Sequence, residues 1–290
     1  MQHSAIATNK RPTLHLVPPR APRYSPIVLW HLLSLDAPTV AAVWTLLVAH
    51  AAHIHLPWQT PVALFVAVWA LYVVDRLLDT TDLEERHRFH QRHRGRFLAL
   101  VAWAAPVIAL LLHRIDAAAL RLYILLASLL AAWFIVIHAR HGAHRLPKEL
   151  AVGLFFPAAI FIPTVARFPD LRLTLLPPAL LLAVVCTLNC LFLYAWEHPH
   201  NRLRAHWTTR WATAHLDMLS MVALGVSVVL GVFYREDLRI IPVACGLAVG
   251  FLLLLDRTRH TLRPLVVRAL ADAALLSPLL FLPFLHNAGL

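Results

Sequence analysis

The side chains best suited to chemistry stand where an apolar segment ends: Asp75 and Asp79 are four residues apart. On a helix this spacing puts both carboxylates on one face, and Asp82 extends that face. Carboxylates at the end of a membrane-length apolar helix are costly unless a cation, a divalent metal or water accompanies them. Because a basic, histidine-dotted run follows at once to Arg96, the acids either build a site or mark where the helix leaves the membrane.

A second polar group closes a later apolar segment, where Glu197 and Asn201 are again four residues apart. Asn189, two turns before Glu197, offers a further oxygen, and Tyr194 lies on the same stretch as a candidate substrate contact. Two oxygen-bearing helix ends that face each other can hold Mg²⁺, which prefers hard oxygen ligands and substrate phosphates. The predicted metal ligands are Asp75, Asp79, Glu197 and Asn201.

Basic residues between the two groups would suit a diphosphate. Lys148 opens an apolar helix directly after a proline, so it is expected at the mouth of a bundle, with Arg145 nearby. The alternative is that these cations only report the excess of Lys and Arg on the cytoplasmic side of a membrane protein.

Composition places these groups in a membrane protein. The 290 residues are 60% hydrophobic and 14% charged, against about 25% charged residues in a soluble protein. The net charge of +11 is better explained by basic cytoplasmic loops than by nucleic acid. The three cysteines form neither a disulfide framework nor a CxxC zinc pattern.

Nine apolar segments of about membrane-spanning length predict an all-α polytopic protein. Residues 1–24 are expected to form a flexible cytoplasmic tail and residues 25–290 a single membrane domain. Most of the 26 Lys and Arg residues fall on the side of the tail, which predicts a multi-pass inner-membrane protein with a cytoplasmic N-terminus. The segments are 26–52, 58–79, 97–113, 117–138, 148–166, 173–196, 213–233, 238–256 and 264–286.

This arrangement resembles the UbiA superfamily of intramembrane prenyltransferases over residues 26–286. The resemblance rests on the acidic motif that closes the second segment, the polar motif that closes the sixth, and Lys148 before the fifth. In that family the first motif is Asn-Asp-x-x-Asp followed by another Asp, and the second is Asp-x-x-x-Asp. Here Asp75 replaces the Asn, Arg76 replaces the first Asp, Asp79 matches, and Leu83 occupies the last acidic position between Asp82 and Glu84.

The resemblance implies a helix bundle around a central cavity that opens to the cytoplasmic side. In that cavity a prenyl group would pass from a Mg²⁺-bound prenyl diphosphate to an aromatic or other lipophilic acceptor inside the bilayer. The resemblance assigns catalysis to Asp75, Asp79 and Lys148. Arg76 would bind phosphate oxygens in place of a metal, or would pair with a neighbouring Asp and close the site. No nucleic acid and no obligate protein partner is expected. The alternatives are a catalytically lapsed lipid-binding relative and a polytopic transporter.

Other polar residues in apolar segments receive separate interpretations. Asp36 and Asp272 are secondary cavity candidates, and the spacing of Arg268 and Asp272 predicts a mutual ion pair. The run Arg86–Arg96 is expected to cap the site as an interfacial lid, with arginines towards headgroups and Phe89 and Phe97 turned inward. Two histidine triplets at three-residue spacing could hold a transition metal, although interleaved arginines oppose it. They are His87, His90, His93 and His138, His141, His144.

Overall fold

The structure, a computed structural model, describes residues 24–78, 85–139, 148–198 and 206–281. Over these ranges all regular structure is helical. The α-helices are α1 Pro26–Leu32, α2 Asp36–Ala51, α3 Gln59–Leu78, α4 Glu85–Arg92, α5 Arg94–Leu112, α6 Ala117–Ala139, α7 Lys148–Arg167, α8 Arg172–Glu197, α9 Trp207–Ala214, α10 Leu216–Phe233, α11 Ile240–Thr258 and α12 Pro264–Ala274. Short 3₁₀ helices cover Pro169–Leu171, Arg259–Thr261 and Ser277–Phe281.

Every apolar segment predicted from the sequence contains a helix, so the all-α class is confirmed for the described residues. Five helices are long and apolar enough to cross a membrane, or six if the bent pair α1–α2 is one span. Helices α6 and α7 contribute the shorter apolar stretches Ala117–Trp133 and Ala151–Arg167. The ninth predicted segment divides into α12 and the 3₁₀ helix Ser277–Phe281. Nine spans remain a prediction.

The helices differ in how much of their apolar surface they bury. About half of the spanning windows of α8 and α11 is buried, but only 17% of those of α5 and α10. Side chains such as Leu110 on α5 and Phe233 on α10 are 74% and 82% exposed. Exposed apolar surface of this extent marks contact with another molecule or a bilayer. The fold is therefore that expected of a helical membrane protein, with α8 and α11 at its centre.

The interior around α2, α8 and α11 is packed with large side chains. Trp44 and Phe192 are fully buried in the main core. The Trp44 indole donates to the carbonyl of Leu275 at 2.7 Å, just before the C-terminal 3₁₀ helix. A buried indole N–H needs such a partner, so this bond fixes the end of α12 against α2.

A sharp bend between α1 and α2 shapes the site. The two helices meet at 95°, and Ser34 between them has φ 56°. The amide of Leu35 donates to Trp30 and that of Ser34 to His31, the paired bonds of a Schellman ending. Glycine usually occupies this left-handed position because a Cβ is strained there. Ser34 occupies it here, and its hydroxyl contacts His90 and Arg86.

Helices α7 and α8 pack closely at Gly153. A Cβ at this position would collide with the Thr187 hydroxyl and would come within 3.0 Å of the Ala183 carbonyl. The same hydroxyl already donates to that carbonyl at 2.8 Å. Small residues at helix contacts let backbones approach in this way inside membranes. The α7–α8 pairing therefore depends on glycine at residue 153.

We predict that Gly153→Ala lowers the free energy of unfolding by about 1–3 kcal/mol, the usual range for overpacking. The corresponding fall in melting temperature is measured in detergent micelles. The matched control is Gly250→Ala in the interior of α11, where a new Cβ meets nothing within 4 Å and alanine is the better helix former. A Gly153→Ala protein that melts with or above the control would contradict the close contact.

Candidate functional site

Polar side chains from five helices and one bend are buried together inside the bundle. We call this set the interior cluster. It joins the α1–α2 bend to α4, α8 and α12, which are distant in sequence. Its members are His31, Ser34, Asp36, Arg86, His90, Asn189 and Asp272.

A histidine lies between two carboxylates at the centre of the cluster. His31 Nδ1 is 2.8 Å from Asp36 Oδ2 and 3.2 Å from Asp272 Oδ2. Asn189 Nδ2 donates to the other oxygen of Asp272 at 3.3 Å. The side chains of His31 and Asp36 are each 2% exposed, and that of Asp272 is 17% exposed. Asp36 and Asp272, predicted as secondary candidates, are thus the acids that the fold brings together in its interior.

Arg86 connects α4 to this group. Its Nη2 donates to Asp36 Oδ1 at 2.9 Å and to Ser34 Oγ at 3.1 Å. Both charged side chains are almost fully buried. Taking two charges out of water is expensive, and only close pairing with further hydrogen bonds offsets the cost. The pair therefore holds α4 over the α1–α2 bend as long as both charges are present.

His90 completes a closed set of hydrogen bonds with the same residues. Its Nδ1 donates to the Arg86 carbonyl at 3.0 Å, so its Nε2 is free to accept from Ser34 Oγ at 3.3 Å. Phe97 stacks on the ring at 4.2 Å. Burial, with the nearby Arg86 and Arg76 charges, lowers the pKa of His90 to about 4. His90 is therefore neutral at physiological pH.

The end of α3 reaches the edge of the cluster. Asp75 is half exposed and lies 3.6 Å from Arg76, whose Nη1 also donates to His87 Nε2 at 3.2 Å. Of the two roles considered for Arg76, the structure therefore displays the pairing with Asp75. One turn earlier, Tyr72 lies within electrostatic range of Cys190, Asp36 and Asp272.

At the end of α8, Glu197 binds Arg268 of α12 at 2.5 Å. The sequence predicted that Arg268 would pair with Asp272. The structure gives Arg268 a different acid and sets Asp272 against His31 and Asn189, because α8 packs along α12 and presents Glu197 to Arg268 and Asn189 to Asp272. Tyr194 stacks on His198 at 4.6 Å beside this pair.

Several predicted site residues lie outside the described residues. These are Asp79, Asp82, Arg145 and Asn201. Lys148 begins α7, as predicted, but only its backbone position is described.

The described half of the predicted magnesium set does not form an open group of oxygen ligands. Asp75 and Glu197 each have an arginine guanidinium against a carboxylate oxygen. Mg²⁺ requires hard oxygen ligands and near-octahedral geometry, and a guanidinium competes for the same oxygens. Among the described residues, the group with metal-like spacing is instead His31, Asp36 and Asp272, whose ligand atoms lie within 4.8 Å of one another.

Within the run predicted to cap the site, the two phenylalanines face inward as expected, and the role of a lid remains a prediction. Phe97 is buried, and Phe89 packs beside it. Arg86 was expected near lipid headgroups, and that is wrong: it is 5% exposed and bonds Asp36. His87 and His90 turn inward to separate partners, Arg76 and Ser34, so they do not share a ligand position. Of the second triplet, His141 and His144 lie outside the described residues and His138 is described only in its backbone.

Sequence reasoning missed His31 and Ser34. His31 looks like a lone polar residue near the start of an apolar segment, and the motif Leu33-Ser34-Leu35-Asp36 carries no glycine to signal a bend. On a continuous helix, residues five apart lie on different faces. His31 and Asp36 meet only because the chain bends between them, and the sequence carries no clear signal for that bend.

The central cavity remains a prediction. The groove found among the described residues has a volume of about 420 Å³ and lies between α6 and α7. Its walls are apolar, for example Leu129, Trp133 and Phe155, and none of the polar residues above lines it.

We predict that Arg86→Ala lowers the free energy of unfolding by about 3–5 kcal/mol, because it leaves the Asp36 carboxylate buried without its partner. Arg239→Ala is the control: its pair with Glu236 is exposed, and such pairs contribute at most about 1 kcal/mol. Thermal unfolding in detergent micelles measures both. Equal losses would mean that Asp36 and Arg86 are not a buried charged pair.

We predict that the free energy of unfolding decreases as the pH is lowered, in part because His90 is buried in its neutral form. Because burial depresses its pKa in the folded protein to about 4, its contribution is present above the unfolded value near 6.5 and is lost as the pH falls towards 4. The loss of melting temperature between pH 6.5 and 4.5 should therefore be smaller in His90→Gln than in the wild type. If melting temperature falls equally with pH in His90→Gln and in the wild type, the loss of stability in acid comes from other buried groups, namely Asp36, Asp272 and His31.

The site is thus defined by its own geometry: a buried polar cluster where the α1–α2 bend meets α4, α8 and α12. Of the predicted motif residues, Asp75 pairs with Arg76 and Glu197 with Arg268. The chain matches no protein-family model, and no curated protein or solved structure matches it.

Proposed function

We propose that this chain is an intramembrane prenyltransferase of the UbiA type. It would transfer a prenyl group from a prenyl diphosphate to an aromatic or other lipophilic acceptor. The observation that carries the proposal is that residues near the ends of α3 and α8 approach one polar interior. Arg76, at the end of α3, donates to His87 of α4. Asn189 of α8 donates to Asp272, whose other oxygen contacts His31. This supports the prediction that two polar helix ends, far apart in sequence, act together.

The chemistry fits an apolar bundle with cations at its polar end. Ionisation of an allylic diphosphate leaves negative charge on the departing group, and fixed donors stabilise that charge best where water is excluded. Guanidinium groups bind phosphate oxygens in a forked manner. Arg76, which is 24% exposed, and Lys148 at the start of α7 are the residues proposed for this role, with Arg145, Asp82, Tyr194 and Asn201 as further substrate contacts.

Magnesium dependence enters the proposal from the resemblance to the family, in which the metal neutralises diphosphate oxygens. Asp79 and Asn201, with Asp75 and Glu197, are the residues proposed to hold it. The reaction would take place at the cytoplasmic side of the cell membrane, because the bias of Lys and Arg favours a cytoplasmic N-terminus.

A second candidate is a lapsed relative that binds lipid without turnover. The specific observation in its favour is that Asp75 and Glu197 are both neutralised by arginines. An enzyme would need these ion pairs to open when substrate binds.

The test uses membranes that contain the full chain, labelled allylic prenyl diphosphates, a pool of lipophilic acceptors, and magnesium present or removed. We expect Mg²⁺-dependent prenylated product, with Asp79→Ala reducing the rate by about 100-fold or more, the usual effect of losing a group that stabilises transition-state charge. The control is Asp116→Ala, because Asp116 only accepts a backbone hydrogen bond at the start of α6.

Equal product from Asp79→Ala and the wild type would contradict the proposed site. Retention of labelled diphosphate without product, in both proteins, would favour the lapsed relative. Neither product nor retention would leave the transporter hypothesis, for which uptake into sealed vesicles is the corresponding measurement.

A further inference from the structure

We infer that His31, Asp36 and Asp272 form a buried binding site for one divalent first-row transition-metal ion, such as Zn²⁺ or Mn²⁺, with Asn189 as a fourth ligand. This site is separate from the magnesium ligands discussed above. It does not depend on prenyl transfer, so it stands or falls independently of the proposed function.

The spacing of the ligand atoms carries the first part of the argument. Around an ion with bonds of about 2.1 Å, neighbouring ligand atoms lie about 3.0–3.4 Å apart. His31 Nδ1 lies 2.8 Å from Asp36 Oδ2 and 3.2 Å from Asp272 Oδ2, and all three atoms fall within 4.8 Å. Two edges of a coordination shell are therefore nearly formed, and the third, between the two carboxylates, is no longer than 4.8 Å.

Hydrogen bonding alone does not satisfy this group. The imidazole Nδ1 has at most one proton to donate, and it is aligned with Asp272. Asp36 Oδ2 lies 2.8 Å from the same Nδ1 but is not aligned to accept its proton. Buried carboxylate oxygens without donors are rare in folded proteins, and a cation satisfies all three atoms at once.

An independent orphan atom lies beside the group. Asn189 is 6% exposed, and its amide touches Asp272 through Nδ2, yet its Oδ1 has no partner among the described residues. A proton shared between His31 and the two acids would leave this oxygen unsatisfied. A metal ion beside Asp272 would give it a partner.

Charge and outer contacts fit a divalent ion. Two carboxylates face one guanidinium, since Arg86 binds Asp36 through Oδ1 and leaves Oδ2 towards His31. Outer hydrogen bonds of this kind orient metal ligands. One imidazole with carboxylates favours zinc, manganese or iron over magnesium and calcium, which prefer oxygen-only sites. The ion would join the α1–α2 bend to α8 and α12, and its binding would stabilise the fold.

The experiment uses the full chain without a histidine tag, purified in detergent, stripped with a chelator and desalted. Zn²⁺, Mn²⁺ and Co²⁺ are then added in turn. We expect one retained ion per chain by elemental analysis, a chelator-reversible rise in melting temperature, and visible absorption of bound Co²⁺ that excess Mg²⁺ does not remove. His31→Gln and Asp272→Asn should lose all three signals.

His93→Gln is the matched control, because His93, between α4 and α5, bonds the Phe89 carbonyl and contacts the Phe89 ring, away from the three ligands; its signals should equal those of the wild type. If the His31 and Asp272 variants do not fold, the number of ions retained per wild-type chain and the absorption spectrum of its bound Co²⁺ still test the proposed site. No retained ion, retention unaffected by the cluster variants, or the same melting rise with Mg²⁺ alone would overturn the inference.

Discussion

A buried ion pair between Arg86 and Asp36 is the interaction on which the polar interior depends. Charges in a low-dielectric interior are tolerated only with close partners, and the loss of one partner leaves the other uncompensated. Ser34 supplies the additional hydrogen bond, and its left-handed backbone turns Asp36 towards Arg86. The strained bend, the short helix α4 and the buried acid therefore form one unit.

This unit explains why the interior can be polar while the surface is apolar. Trp44, Phe192 and their neighbours fill the core around α2, α8 and α11, whereas α5 and α10 turn large apolar side chains outward. Polar groups are concentrated where α4 and α12 cover the ends of α3 and α8. Polar residues inside membrane bundles are expensive and usually face the interior, as they do here.

Much of the helical fold was predictable because the length of each apolar segment can be read from consecutive residues. Each apolar segment did contain a helix, but the 95° bend at Ser34 was not visible, since a serine stands where glycine is usual. The site was predicted only in part. Asp36, Asn189 and Asp272 were recognised as unusual, but their meeting with His31 depends on the packing of distant helices, which one sequence does not encode locally.

The interior cluster draws on the first helices of the chain and on the last, α12. A ribosome completes α1, α2 and α4 long before α12 leaves the exit tunnel, so His31 and Asp36 enter the membrane before Asp272 exists. Arg86 follows Asp36 after only fifty residues and can neutralise it during this interval. The neutralising arginine is therefore available early in synthesis, whereas the cluster can be complete only after the C-terminal helix has been made.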